Sequence, residues 1–149
     1  MQFKVVVVVG LLLVVAAGAF LYHSSPNGGS TANPATSPVV TVTMTDNSLK
    51  PSVESVAGGQ VTFIVTNSGT MEHEFVVLKT DLAPNALPLQ PDATAIEDDT
   101  DVHHSGELAS LQSGETKTLT LNLTPGEYVL LCNFPGHYLA GMYASFNVQ

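Results

Sequence analysis

From Val39 onward, β-forming and polar side chains alternate with a period of two, and that alternation excludes most folds at once. Val40-Thr41-Val42-Thr43-Met44-Thr45, Val61-Thr62-Phe63-Ile64-Val65-Thr66 and Thr118-Leu119-Thr120-Leu121-Asn122-Leu123 all follow it, each bounded by Gly, Pro, Asn or Asp. Side chains two apart share a face of a strand, so each segment presents one apolar and one hydrated side, as half-buried antiparallel strands do. Ser52 to Ala57, Glu74 to Lys79, Glu127 to Cys132 and Met142 to Val148 complete the set, about seven to eight short strands. No stretch carries the period of an amphipathic helix. The expected architecture is all-β, a Greek-key sandwich of two sheets. Thr80 to Gly106, rich in Pro, Asp and Ala, breaks the spacing and reads as a long connection holding a short helix or a flap.

Residues 39–149 are enough for one modest core and leave no room for a second domain. Ahead of them, Val5 to Tyr22 is apolar throughout and follows a single Lys4. A cleavable export signal has an apolar core of ~7 to 15 residues, and a spanning helix needs ~20. The run passes the small-residue site Ala17-Gly18-Ala19 and continues through Phe20-Leu21-Tyr22, so residues 1–22 are expected to stay as a signal anchor rather than to be cut as a signal peptide. Lys4 on the short side places the domain outside the cytoplasmic membrane. Residues 23–38, HSSPNGGSTANPATSP, have no acid, Lys or Arg and little to bury, and read as a flexible tether. The chain carries thirteen Asp plus Glu against four Lys, a net charge of −9. Such a surface repels nucleic acid and steers basic partners toward it.

Cys132 is the sole cysteine and has no internal disulfide partner. In an exported chain it needs burial, a metal or an intermolecular partner. It opens the segment Cys132-Asn133-Phe134-Pro135-Gly136-His137-Tyr138-Leu139-Ala140-Gly141-Met142, a thiolate, an imidazole and a thioether in C-x4-H-x4-M spacing. A strand ending at Cys132 and another starting near Met142 put all three on one hairpin loop, with Pro135-Gly136 and Gly141 allowing tight turns. A second imidazole must come from elsewhere, and His73 stands at the start of a strand. Two imidazoles and a thiolate with a weak axial thioether suit a copper electron-transfer site, whereas structural zinc sites seldom use Met.

With these residues the chain resembles the cupredoxin family of type 1 blue copper proteins across nearly all of residues 39–149. In that family the first His ligand opens a strand, and Cys, His and Met follow on one C-terminal loop. The resemblance assigns one copper ion to His73, Cys132, His137 and Met142. Thr124-Pro125-Gly126-Glu127-Tyr128-Val129-Leu130-Leu131-Cys132 is similar to the family's turn and strand entering the site, and the four-residue first gap is similar to that of its longer-loop members. Glu74 departs from the Asn common after the first His. The resemblance implies a one-electron carrier, not an enzyme, that exchanges electrons with a cytochrome or membrane oxidoreductase docking near His137. Phe134, Pro135, Leu139 and Met71 are expected to form the apolar rim there. An extracytoplasmic copper chaperone or store would use the same ligands. A copper oxidase or nitrite reductase needs further histidines and, as a rule, more than one such domain. His103-His104, after Glu97-Asp98-Asp99-Thr100-Asp101, reads as a solvated acidic loop rather than a second metal site. The domain is expected to be a monomer.

Overall fold

The computed structural model describes residues 37–149. The anchor expected over residues 1–22, and all but the end of the expected tether, lie outside them. Among the described residues no helix is long and apolar enough to cross a membrane.

Among the described residues nine strands build two facing sheets: β1 (Val39–Thr45), β2 (Ser48–Pro51), β3 (Ser55–Val56), β4 (Gly59–Asn67), β5 (His73–Lys79), β6 (His103–Leu111), β7 (Thr116–Leu123), β8 (Gly126–Leu131) and β9 (Tyr143–Val148). One sheet has the order β2-β1-β4-β7 and the other β3-β9-β8-β5-β6. The sandwich expected from the alternation is therefore present. Two pairings depart from an antiparallel pattern, because β1 runs parallel to β4 and β3 parallel to β9. The chain changes sheet between β2 and β3 and again before β4, so β4 returns beside β1 after an even number of reversals rather than through a hairpin.

Alternation supplies the core. Val40, Val42 and Met44 of β1 and Val61, Phe63 and Val65 of β4 turn inward, where they meet Phe75, Val77, Leu130 and Phe146 from the opposite sheet. Phe63 packs at 5.4 Å from Phe75 and 5.5 Å from Phe146, centroid to centroid, in tilted and edge-on geometry that suits the ring quadrupoles.

Strands β5 and β8 are buried on both faces, as their unbroken apolar runs Phe75-Val76-Val77-Leu78 and Tyr128-Val129-Leu130-Leu131 require. Their outward side chains Val76, Leu78, Val129 and Leu131 are covered by Leu87, Ala95 and Val102. The connection from Thr80 to Val102 is thus an outer layer, and it holds no helix. It ends earlier than the sequence pattern indicates, because His103–Leu111 forms β6. That strand pairs only with β5 and buries little besides Leu111. An edge strand reading HHSGELASL, with Leu108 and Leu111 its only large apolar residues, has little β-propensity and no period-two alternation to announce it. His103 and His104 accordingly lie on a strand and not in a loop. The segment Ser52 to Ala57 contributes only the two residues of β3, since Ser48–Pro51 is drawn into a hairpin with β1.

Phe63→Ala is expected to lower unfolding free energy by about 3 to 5 kcal/mol, read as a lower urea midpoint at unchanged slope. A loss below about 1 kcal/mol would mean that the ring cluster does not organise the core.

Candidate metal centre

The end of β8 and the start of β9 are tied by the Cys132 N–H, which donates to the Met142 carbonyl at 3.0 Å. Between them the loop makes two tight reversals. Phe134-Pro135-Gly136-His137 is a type II turn closed by the His137 N–H on the Phe134 carbonyl at 2.9 Å, and Gly136 takes φ +82°, which that turn requires at its third position. The N–H of Met142 then returns to the His137 carbonyl at 3.2 Å. Cys132 and Met142 are fully buried within the inter-sheet core, and His137 is partly exposed.

His73 comes from the other side, as the first residue of β5, and is also fully buried. The turn leading to it is fastened by buried Asn67, whose amide donates to the carbonyls of Met71 at 2.7 Å and Leu111 at 2.9 Å. His73 Nδ1 lies 3.2 Å from His137 Nδ1, Cys132 Sγ lies 3.3 Å from His137 Nδ1, and Cys132 Sγ lies 3.8 Å from His73 Nδ1. The point equidistant from these three atoms is about 2.0 Å from each, the length of a metal–imidazole bond. The triangle is therefore of the size that one trigonally held ion demands. With the buried thioether residue Met142 alongside, these side chains compose the donor set of a type 1 copper site, and copper is the cofactor they fit.

The surroundings disfavour the charged forms of Cys132 and His137. Burial pushes the Cys132 thiol above its ordinary value, and the backbone N–H groups of Glu74 and Phe134 pull it partly back. The Glu74 N–H lies 3.5 Å from Sγ. Burial, and then the neighbouring His73, hold the His137 imidazole below its usual value. On the far side of His73, Nε2 faces Asp46 Oδ1 at 3.4 Å.

A family model described as a cupredoxin-like domain matches residues 11–142. The chain belongs to the cupredoxin-like family. Auracyanin-B of Chloroflexus aurantiacus is 46% identical to this cupredoxin over 41 residues, a match covering 27% of this chain and 17% of that protein. The dithionite-reduced auracyanin of the photosynthetic bacterium Roseiflexus castenholzii superposes with a TM-score of 0.55 at 24% identity, covering 76% of this chain and 98% of that one. Reduced rusticyanin superposes at 0.53 with 19% identity, over 76% and 81% of the two chains. Both superpositions speak to the fold.

Two further groups lie beside the centre of this cupredoxin. Asn133, next to Cys132, binds the outer connection through Ala95, whose N–H donates to Asn133 Oδ1 at 2.6 Å, and through its own amide on Ala95 O at 3.0 Å and Glu97 Oε1 at 2.7 Å. Neither Asn133 nor Asp46 stands out in the sequence, because each acts through contacts far along the chain. His104 Nε2 lies 3.6 Å from both Glu97 Oε2 and Glu107 Oε2, and His103 faces Asp98 at 3.7 Å; these are exposed and partly exposed imidazole–carboxylate contacts along and beside an edge strand.

Glu97 and Glu107 also act on Glu74. Desolvation first, then these two carboxylates, push the Glu74 carboxyl up to about 7 from 4.5. Between those values the folded state holds a proton that the unfolded state has released, so stability falls as pH rises from 4.5 to about 7. Partial exposure limits the effect to about 1 to 2 kcal/mol. Glu74→Gln should flatten the dependence when urea unfolding of the metal-free protein is compared at about pH 5 and about pH 7.5. Equal pH slopes in variant and wild type would contradict the assignment.

Proposed function

We propose that this cupredoxin is a one-electron carrier whose copper is held by His73, Cys132, His137 and Met142. The observation that carries the reading is the triangle of donor atoms 3.2 to 3.8 Å apart at the buried end of the sandwich. Copper bound there supplies one-electron chemistry by alternating between its two oxidation states. The protein's part is to keep the donor geometry the same in both states, which makes reorganisation small. Cys132 and both imidazoles would serve as the strong donors and Met142 as a weak one. Binding expels the Cys132 proton, so copper affinity should rise with pH below the raised thiol value.

His137 is the one partly exposed member of the set, and that exposure supports it as the point of electron entry. Met71 and Leu139, 46% and 60% exposed, are two of the few large apolar side chains that face solvent among the described residues, and the Phe134 ring packs 5.8 Å from the His137 ring. A cytochrome or membrane oxidoreductase docks there in this reading, steered by the net charge of −9 if its own surface is basic. The domain works as an extracytoplasmic monomer, held by residues 1–22 as an anchor and swung on residues 23–38, and has no role with nucleic acid.

The deciding experiment is visible absorption and electron paramagnetic resonance of the full chain after addition of Cu(II). Wild type should show an intense thiolate-to-copper band with narrow copper hyperfine splitting. Cys132→Ser should abolish the band, and Met142→Leu should keep it while raising the reduction potential. Colour that survives the first change would refute the ligand assignment; a colourless protein holding Cu(I) that exchanges readily would indicate a copper chaperone or store. Leu139→Glu should slow electron self-exchange between two copies by about tenfold, as measured by NMR line broadening. An unchanged rate would move the entry point away from the His137 rim.

A further inference from the structure

Asp46 occupies a place that much of its neighbourhood is arranged to provide. It follows β1, in the turn to β2, and its carboxylate reaches across to the segment that leads into β5. Oδ1 accepts the N–H groups of Thr70 at 2.8 Å and Met71 at 3.1 Å, and Oδ2 accepts the Thr70 hydroxyl at 2.7 Å. Gly69 passes so close that a Cβ on it would collide with both the carboxylate and the Asp46 backbone. Only glycine leaves this space open. Three donors, two backbone N–H groups and a hydroxyl, thus converge on this one carboxylate.

The same Oδ1 stands 3.4 Å from Nε2 of His73, a ring with no exposure of its own. An imidazole can give a metal one nitrogen only if its proton sits on the other, and an acceptor at that other nitrogen decides the tautomer. A carboxylate there also makes the ring a stronger donor and adds negative charge near the ion. That charge favours the more positive oxidation state. The Asp46 side chain is 31% exposed, so the charge reaches the site without the full penalty of burial.

We propose that Asp46 is the positioning residue of this centre: it fixes His73 with the proton on Nε2, presents Nδ1 to the metal, and selectively stabilises Cu(II) over Cu(I). The inference rests on the copper reading above, and it adds a carboxylate contributed by a different part of the fold from the four donors. It also gives the β1–β2 turn a function.

Two measurements test it. In the metal-free full chain, nitrogen-15 NMR of His73 should show the Nε2–H tautomer, and Asp46→Asn should leave a mixture of tautomers; an Nδ1–H tautomer in wild type would overturn the proposal without any metal present. In the copper-loaded chain, Asp46→Asn should weaken Cu(II) binding by about tenfold or more relative to Cu(I), equivalent to a potential raised by about 59 mV per tenfold. Thr70→Ala removes one fastening of the turn and keeps the charge, so its potential should stay close to wild type. Equal shifts in the two variants, or none in Asp46→Asn, would show that Asp46 only ties the turn. If wild type fails to give the copper band, the copper reading falls while the tautomer measurement still decides whether Asp46 sets the ring.

Discussion

Two imidazole nitrogens and a sulfur stand within 3.2 to 3.8 Å of one another, close enough to hydrogen-bond among themselves and to share one ion. His73 and Cys132 are fully sealed from water. Such an arrangement persists only where the backbone carrying it cannot relax. Here the restraint is a covalently short loop on one side, pinned across its mouth by Cys132 and Met142, and the first residue of a doubly buried strand on the other. The sandwich exists, in functional terms, to oppose those two pieces of chain.

The outer connection contributes to the same end. Tyr138, adjacent to His137, is buried against it, with its hydroxyl accepting the Leu87 N–H at 3.0 Å and donating to the Pro84 carbonyl at 2.9 Å. Asn133, adjacent to Cys132, grips Ala95 through both ends of its amide. Residues next to two of the donors are therefore anchored in a layer that also seals the apolar back of β5 and β8. A segment that looks like excess in the sequence becomes a clamp once its buried Leu87, Ala95 and Val102 are seen against the sheet.

What could be read from the sequence follows from how local the cause is. Strands such as β1, β4 and β7 were legible because alternation is a property of consecutive residues, and the C-x4-H-x4-M loop because its spacing is short. Asp46 and Asn133 were not, since the partners of Asp46 lie 24 to 27 residues away and those of Asn133 36 to 38. The edge strand β6 was hidden for another reason: it is held by backbone pairing to β5 with little side-chain burial, so its composition carries no signal. Glu74 was legible only as a departure from a pattern; that it is half-buried against Glu97 and Glu107 depends on β6 and the connection being where they are.

The two histidines divide the work by their depth. His73 is sealed from solvent and backed by the Asp46 carboxylate, so in the proposed carrier its environment would set the electronic character of the site without touching a docked partner. His137 is partly exposed with the Phe134 ring beside it, and in the proposed carrier it would be the side of the centre that a partner reaches. Placing both functions on one ligand would couple them, because any change that improved docking would alter the potential. If the two histidines hold copper as proposed, a buried ligand with a carboxylate neighbour and a partly exposed one would let the potential and the partner be tuned separately, the first drawn from the start of a central strand and the second from the loop after β8.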